Sequence, residues 1–246
     1  MNQARQPKGT RQGGQFAPEH KARARYIPVG DPVYTQEDLS RVDSRGVPLA
    51  LTLASRWQIP RPLSWEVLCL ANRSGRTVAH ELTARGTLDI AMVTPDVLAL
   101  KDKKGHTVAH EWVKSGSLPE SLMTPDILSL ADNKGWSVAH ELAQSGSLPE
   151  SLMTPDILSL ADNEGWSVAH VLASSKPIPK AITTLDILRI ANNNQDTVAH
   201  FIATFVSTRR DLPESLMTPD ILDLKNKFGK SVGDNLAMQL RFARRW

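Results

Sequence analysis

Five histidines stand thirty residues apart in this chain of 246: His80, His110, His140, His170 and His200. Each follows a hydroxyl residue by three positions (Thr77, Thr107, Ser137, Ser167, Thr197), and the first three are followed by Glu81, Glu111 and Glu141. Hydroxyl, imidazole and carboxylate are the parts of a hydrolytic triad, and a set of histidines is the raw material of a zinc site. The spacing argues against both. A triad needs its base aimed at the nucleophile and oriented by a third group, yet a glutamate next to the histidine leaves a helix on another side. Ligand nitrogens on one zinc lie within about 3.5 Å of one another, whereas equivalent positions in stacked helices repeat every ~8–10 Å. The reading is structural: each histidine sits in the first turn of a helix and bonds back toward its capping hydroxyl and toward the neighbouring turn. No catalytic residue, metal or cofactor is expected, no phosphate or dinucleotide fingerprint is present, and the chain is read as not an enzyme.

The better functional lead is the set of positions that vary between otherwise similar segments. Just after a recurring turn glycine they read Arg76, His106, Trp136, Trp166, Asp196 and Lys230, the fifth turn having Gln195 in place of glycine. The turn tips add Arg73, Lys103, Lys104, Lys134 and Glu164. Two adjacent tryptophans flanked by charge have the make-up of an interface hot spot, so Arg76, Lys103, Lys104, His106, Lys134, Trp136, Glu164 and Trp166 are the candidate partner-binding residues. The alternative is that each indole packs over its own helix start. The one cysteine, Cys69, aligns with Ala99, Ser129, Ser159, Arg189 and Asp223, a set that points to partial exposure and no reactive role.

These positions are set by a repeat. The quartet [Ser/Thr]-Val-Ala-His recurs with the histidines, and Thr94-Pro95-Asp96, Thr124-Pro125-Asp126, Thr154-Pro155-Asp156 and Thr218-Pro219-Asp220 form a second series. Residues 117–140 and 147–170 differ only at Lys134 and Glu164. Units are placed at 43–71, 72–101, 102–131, 132–161, 162–191 and 192–225, with a capping half-unit at 226–246. Each unit reads as helix, turn, helix. Asp132-Asn133-Lys134-Gly135 has the residues of a tight turn, Ser137 caps a first helix with Val138, Ala139, Leu142 and Ala143 on one face, and Gly146 ends it. Leu148-Pro149-Glu150-Ser151-Leu152 allows a single turn. Thr154 then caps a second helix with Pro155 at its first position and Ile157, Leu158, Leu160 and Ala161 facing inward. Isolated helices this short are marginal in water, so stacking must stabilise them.

The order Asp-x-x-Gly-x-[Ser/Thr]-x-x-His-x-x-Ala-x-x-Gly-x-Leu, intact from Asp132 to Leu148, resembles the first half of an ankyrin repeat, and the resemblance spans roughly residues 43–246. It implies an all-α helix-turn-helix solenoid and a protein-binding role. The unit departs from the family in its second half, where thirty residues replace ~33 and the protruding hairpin has no counterpart.

Charge divides the chain. Six basic residues against Glu19 give the first thirty residues +5 of an overall +3, so the remaining 216 carry −2. Residues 1–30 are read as a basic disordered tail, 31–42 as a connector and 43–246 as the solenoid. No apolar run reaches the ~18 residues of a membrane span, and a lone cysteine fits a reducing compartment. The expectation is therefore a cytoplasmic protein without a membrane partner. Its first reading is a scaffold that binds a protein partner through the repeat edge. Two alternatives stay open: nucleic-acid association through the tail and the Arg241, Arg244, Arg245 cluster, and an effector or mobile-element factor delivered into another cell to act on host proteins.

Overall fold

The computed structural model describes residues 34–59, 63–116, 118–174, 177–205 and 214–243. The tail at 1–30, Arg244 and Arg245 lie outside these residues, and of Arg241 only the backbone is described.

Among the described residues fourteen helices follow one another: α1 (Gln36–Ser40), α2 (Leu49–Ser55), α3 (Trp65–Cys69), α4 (Val78–Ala84), α5 (Pro95–Ala99), α6 (Val108–Ser115), α7 (Pro125–Ser129), α8 (Val138–Ser145), α9 (Pro155–Ser159), α10 (Val168–Leu172), α11 (Leu185–Leu188), α12 (Val198–Phe205), α13 (Pro219–Leu222) and α14 (Val232–Ala243). Among the described residues a 3-10 turn precedes each second helix from α5 onward, Glu150–Leu152 before α9 for instance. Among the described residues there is no strand. One isolated bridge closes each inter-unit turn, Ala131 with Ser137 and Ala161 with Ser167 among them. The array is all-α: the first helices stack as α2, α4, α6, α8, α10, α12 and α14, and the second helices α5, α7, α9 and α11 stack beside them.

Local chemistry explains where each helix starts and stops. The Thr94, Thr124 and Thr154 hydroxyls accept the third backbone N–H of α5, α7 and α9, each of which has proline at its first position. Gly146 ends α8 in the left-handed region at φ +70°, returning its N–H to Ala143 and Leu142. Burial then supplies what five-residue helices lack. Val138, Ala139, Leu142 and Leu158 are all 1% exposed or less, and each large apolar side chain so buried contributes roughly 2 kcal/mol.

Two inward positions differ from the sequence reading. Leu160 is half-buried and Ala161 exposed, because the chain leaves the helix at Leu160 (φ −54°, ψ 125°). That extended residue carries the backbone across to the next unit, its carbonyl accepting from Val168 N–H at 3.0 Å. The segment ahead of the first unit is itself helical. Thr35 and Asp38 form a reciprocal cap on α1, and Leu39 is buried against α2 and α3.

Candidate functional site

The histidines lie at the joints between units. His140 Nδ1 is 2.7 Å from the Ser137 hydroxyl and accepts the Ser137 backbone N–H at 3.1 Å, while the Ser137 oxygen receives the His140 N–H. Its Nε2 is 3.0 Å from the Trp166 carbonyl of the next unit. A carbonyl only accepts, so Nε2 carries the proton and Nδ1 is the bare acceptor. The same bonds recur at His80, His110, His170 and His200, whose Nε2 atoms meet the carbonyls of His106, Trp136, Asp196 and Lys230. All five rings are at most 1% exposed. Burial, acting first, pushes all five below the ordinary imidazole range, His110 to about 4. Glu141 turns away from His140 and accepts the Trp136 indole N–H at 3.0 Å.

The variable edge lies over these joints, on turns each locked by one aspartate or asparagine side chain, Asp102, Asp132 and Asp162 in three and Asn72, Asn192 and Asn226 in three others. Asp132 Oδ1 accepts the N–H groups of Lys134 (2.8 Å) and Trp136 (3.0 Å), and Gly135 takes the left-handed conformation at φ +81°. A side chain there would stand 2.8 Å from the Asn163 backbone nitrogen, so the glycine is required by space as well as by dihedral. Successive turns are also bonded to one another. The N–H groups of Asn133, Asn163 and Asn193 donate to the carbonyls of Lys104, Lys134 and Glu164 at 2.9, 2.8 and 3.1 Å. The amide side chains of the same residues reach the carbonyls of Lys103, Asn133 and Asn163. This asparagine ladder went unnoticed in the sequence, although asparagine at a fixed turn position thirty residues apart was there to find.

Of the candidate binding residues, Lys103, Lys104, Lys134 and Glu164 are exposed at the turn tips. Arg76 is engaged internally: it reaches Glu81 at 3.3 Å and grips both oxygens of Glu111 in the next unit at 3.0 and 3.2 Å. Burial would raise Glu111, but the bonds and charge of Arg76 hold it below the usual carboxylate range. His106 is stacked 4.9 Å from His110, and Lys114 Nζ donates to its Nε2 at 2.8 Å.

Trp136 and Trp166 are half-buried and line one cleft of about 400 Å³. Its other walls are first-helix residues of the fourth to sixth units, among them Gln144, His170, Val171, Phe201 and Phe205. Trp136 stacks on His140 at 4.8 Å, and Trp166 packs against His170 at 5.9 Å and Phe201 at 4.7 Å. Each indole thus does pack over its own helix start, and together they also wall a shared cavity. Phe201 and Phe205 were not among the candidates. Their signal is in the residue after each histidine, which runs Glu81, Glu111, Glu141, Val171, Phe201 and so turns from acidic to apolar along the array.

No protein-family model and no curated protein matches the chain. It shares its fold with a solved chain. That chain is from the structure of Bd0816 Predatory Endopeptidase from Bdellovibrio bacteriovorus in complex with immunity protein Bd3460, with a TM-score of 0.51 and 20% identity over 70% of this chain and 94% of that one. This corrects the expectation that the chain is not an enzyme. The solved structure sharing the architecture is that of an endopeptidase bound to an immunity protein, so the helical-repeat fold gives no ground for excluding catalysis. The complex also pairs two protein chains. Among the described residues of the present chain no helix is long and apolar enough to cross a membrane.

Proposed function

We propose that this chain acts by binding another protein chain through the turn-and-first-helix edge of an ankyrin-type array, and that the pairing belongs to an effector system. Of the readings open from the sequence, the effector is favoured over a general scaffold. The observation that carries this choice is the likeness to a chain from a complex of a predatory endopeptidase with an immunity protein. The ankyrin assignment draws on the Asp132-to-Leu148 motif and its capped turn, with the shortened second half as a variant of it.

The edge suits the task. Solenoid turns are rigid because they are bonded to one another, so a partner meets a preorganised surface and little ordering entropy opposes binding. The half-exposed aromatic walls of the cleft provide the kind of anchor that dominates protein interfaces. The test is affinity capture with the tagged full chain, compared with Trp136→Ser/Trp166→Ser and with a chain lacking residues 1–30. The expected result is one stoichiometric protein partner, kept by the truncation and weakened at least ~30-fold by the double substitution, which is about 2 kcal/mol. Capture undiminished by the double substitution overturns the assigned edge. Capture of nucleic acid alone, lost with the tail, overturns the reading as a whole.

A further inference from the structure

The aromatic cleft has a composition that selects its occupant. Four of its side chains are Trp136, Trp166, Phe201 and Phe205, and no lysine or arginine is among the residues that line it. Trp136 is already committed, its N–H to Glu141 at 3.0 Å and its ring to His140. One unit on, Val171 stands where Glu141 stood, so Trp166 has no carboxylate at the corresponding place and meets Phe201 instead, the rings inclined at 58°.

Asp196 occupies the register of Trp166 in the next unit, and its carbonyl receives the His170 ring. Burial is the largest influence on His170, and the Asp196 carbonyl and the Asp196 and Asp162 carboxylates act against it. Aromatic faces attract cations within about 6 Å of the ring centroid, more so where water is partly excluded. The array also shows how it seats a cation at this register: the Arg76 guanidinium bridges Glu81 and Glu111.

From this geometry we infer that the cleft receives one basic side chain, arginine or lysine, from the partner polypeptide, held over Trp166 and Phe201 with Asp162 and Asp196 as its electrostatic complement. The inference rests on the protein-binding reading above and names the chemistry the partner must present. A cavity of about 400 Å³ is at the small end for a ligand site and has room for a single long side chain. The aliphatic stem of arginine or lysine would pack along the apolar wall formed by Val171, leaving the charge among the rings.

The test observes the indole N–H signals of the six tryptophans in the nitrogen-15-labelled full chain, with Trp166 assigned from Trp166→Leu. The probes are N-acetylarginine methylamide and its citrulline counterpart, alike in shape but different in charge. The Trp166 signal should move saturably with the arginine compound and at least about five-fold less with citrulline, a factor equivalent to about 1 kcal/mol. Added salt should weaken the response. Equal responses to the two probes overturn the inference in favour of an apolar occupant, and unsaturable movement of all six signals overturns it in favour of no site. Phe205→Ser keeps the test sound if Trp166→Leu does not fold, since Phe205 is 46% exposed: it should retain the thermal midpoint and lose most of the arginine response. Arginine binding without any captured partner would sink the protein-binding reading alone. A partner captured equally by wild type and Phe205→Ser would sink the cleft inference alone.

Discussion

Lowering the pH should unfold this array well before its carboxylates titrate. In the folded chain His110 donates from Nε2 to the Trp136 carbonyl, while its Nδ1 faces the Thr107 hydroxyl at 2.7 Å and the Thr107 N–H at 3.3 Å. A proton added at Nδ1 would set a donor against the Thr107 N–H inside a fully buried site. Burial accordingly lowers His110 from 6.5 to about 4. Because the folded value lies below the unfolded one, the stabilisation is complete above pH 6.5 and is lost as the pH falls toward 4. The full loss from this residue is roughly 3 kcal/mol, and less than half of it has gone by about pH 5.5. His80, His106, His140, His170 and His200 are shifted in the same direction and add to it. Since small domains hold only ~5–15 kcal/mol, this is a large share. Glu111 and Asp234, also lowered, begin to matter only below their ordinary range, so the window from about pH 6.5 to 5 isolates the histidines. Urea unfolding followed by circular dichroism at pH 7 and at about pH 5.5 measures the effect. A midpoint that does not move between these conditions would refute the neutral, buried assignment of the rings.

Other outcomes follow from single joints and turns. His140→Ala leaves the Ser137 N–H and the Trp166 carbonyl without their buried partner, and should cost ~2–3 kcal/mol in urea unfolding at neutral pH. Gly135→Ala meets both a left-handed φ of +81° and a 2.8 Å approach to the Asn163 nitrogen, so it should lower the thermal midpoint by several degrees. Gln195→Gly should raise that midpoint, because Gln195 holds φ +60° at the position other turns give to glycine.

What the sequence made legible is what each unit decides for itself. Ser137, Pro155 and Gly146 carry their caps and stops in their own chemistry, so helix starts and ends could be read directly. The histidine bond to its capping hydroxyl is local for the same reason. What could not be read depends on neighbours. Leu160 and Ala161 continue the apolar pattern of α9, yet the chain must turn there to hand its carbonyl to Val168, and no periodicity within one helix records that demand. Arg76 looked like an open charge at a turn because its partner, Glu111, is thirty-five positions away. The exclusion of catalysis failed for a different reason: it rested on the spacing of the repeated hydroxyl, histidine and glutamate and on absent motifs, and a fold shared with part of an endopeptidase complex gives no ground for excluding an enzyme.

The two nearly identical units make the point most sharply. Residues 117–140 and 147–170 differ at one position, and each contributes a tryptophan to the same edge. The two indoles nevertheless do different things. Trp136 lies tilted at 33° over His140 and donates to Glu141, whereas Trp166 stands edge-on to His170 at 64° and closes on Phe201. Apart from Lys134 against Glu164, both copies supply the same backbone turn, the same capping serine and the same histidine. The contacts that differ come from just outside the duplicated segment, from Glu141 against Val171 and from what the next first helix presents, Val171 in one register and Phe201 in the other. A stacked array can therefore acquire a binding site without altering the segment that displays the anchor. The residue after the histidine, in the tryptophan's own repeat and in the next, sets how each indole packs, while both indoles wall the same cleft.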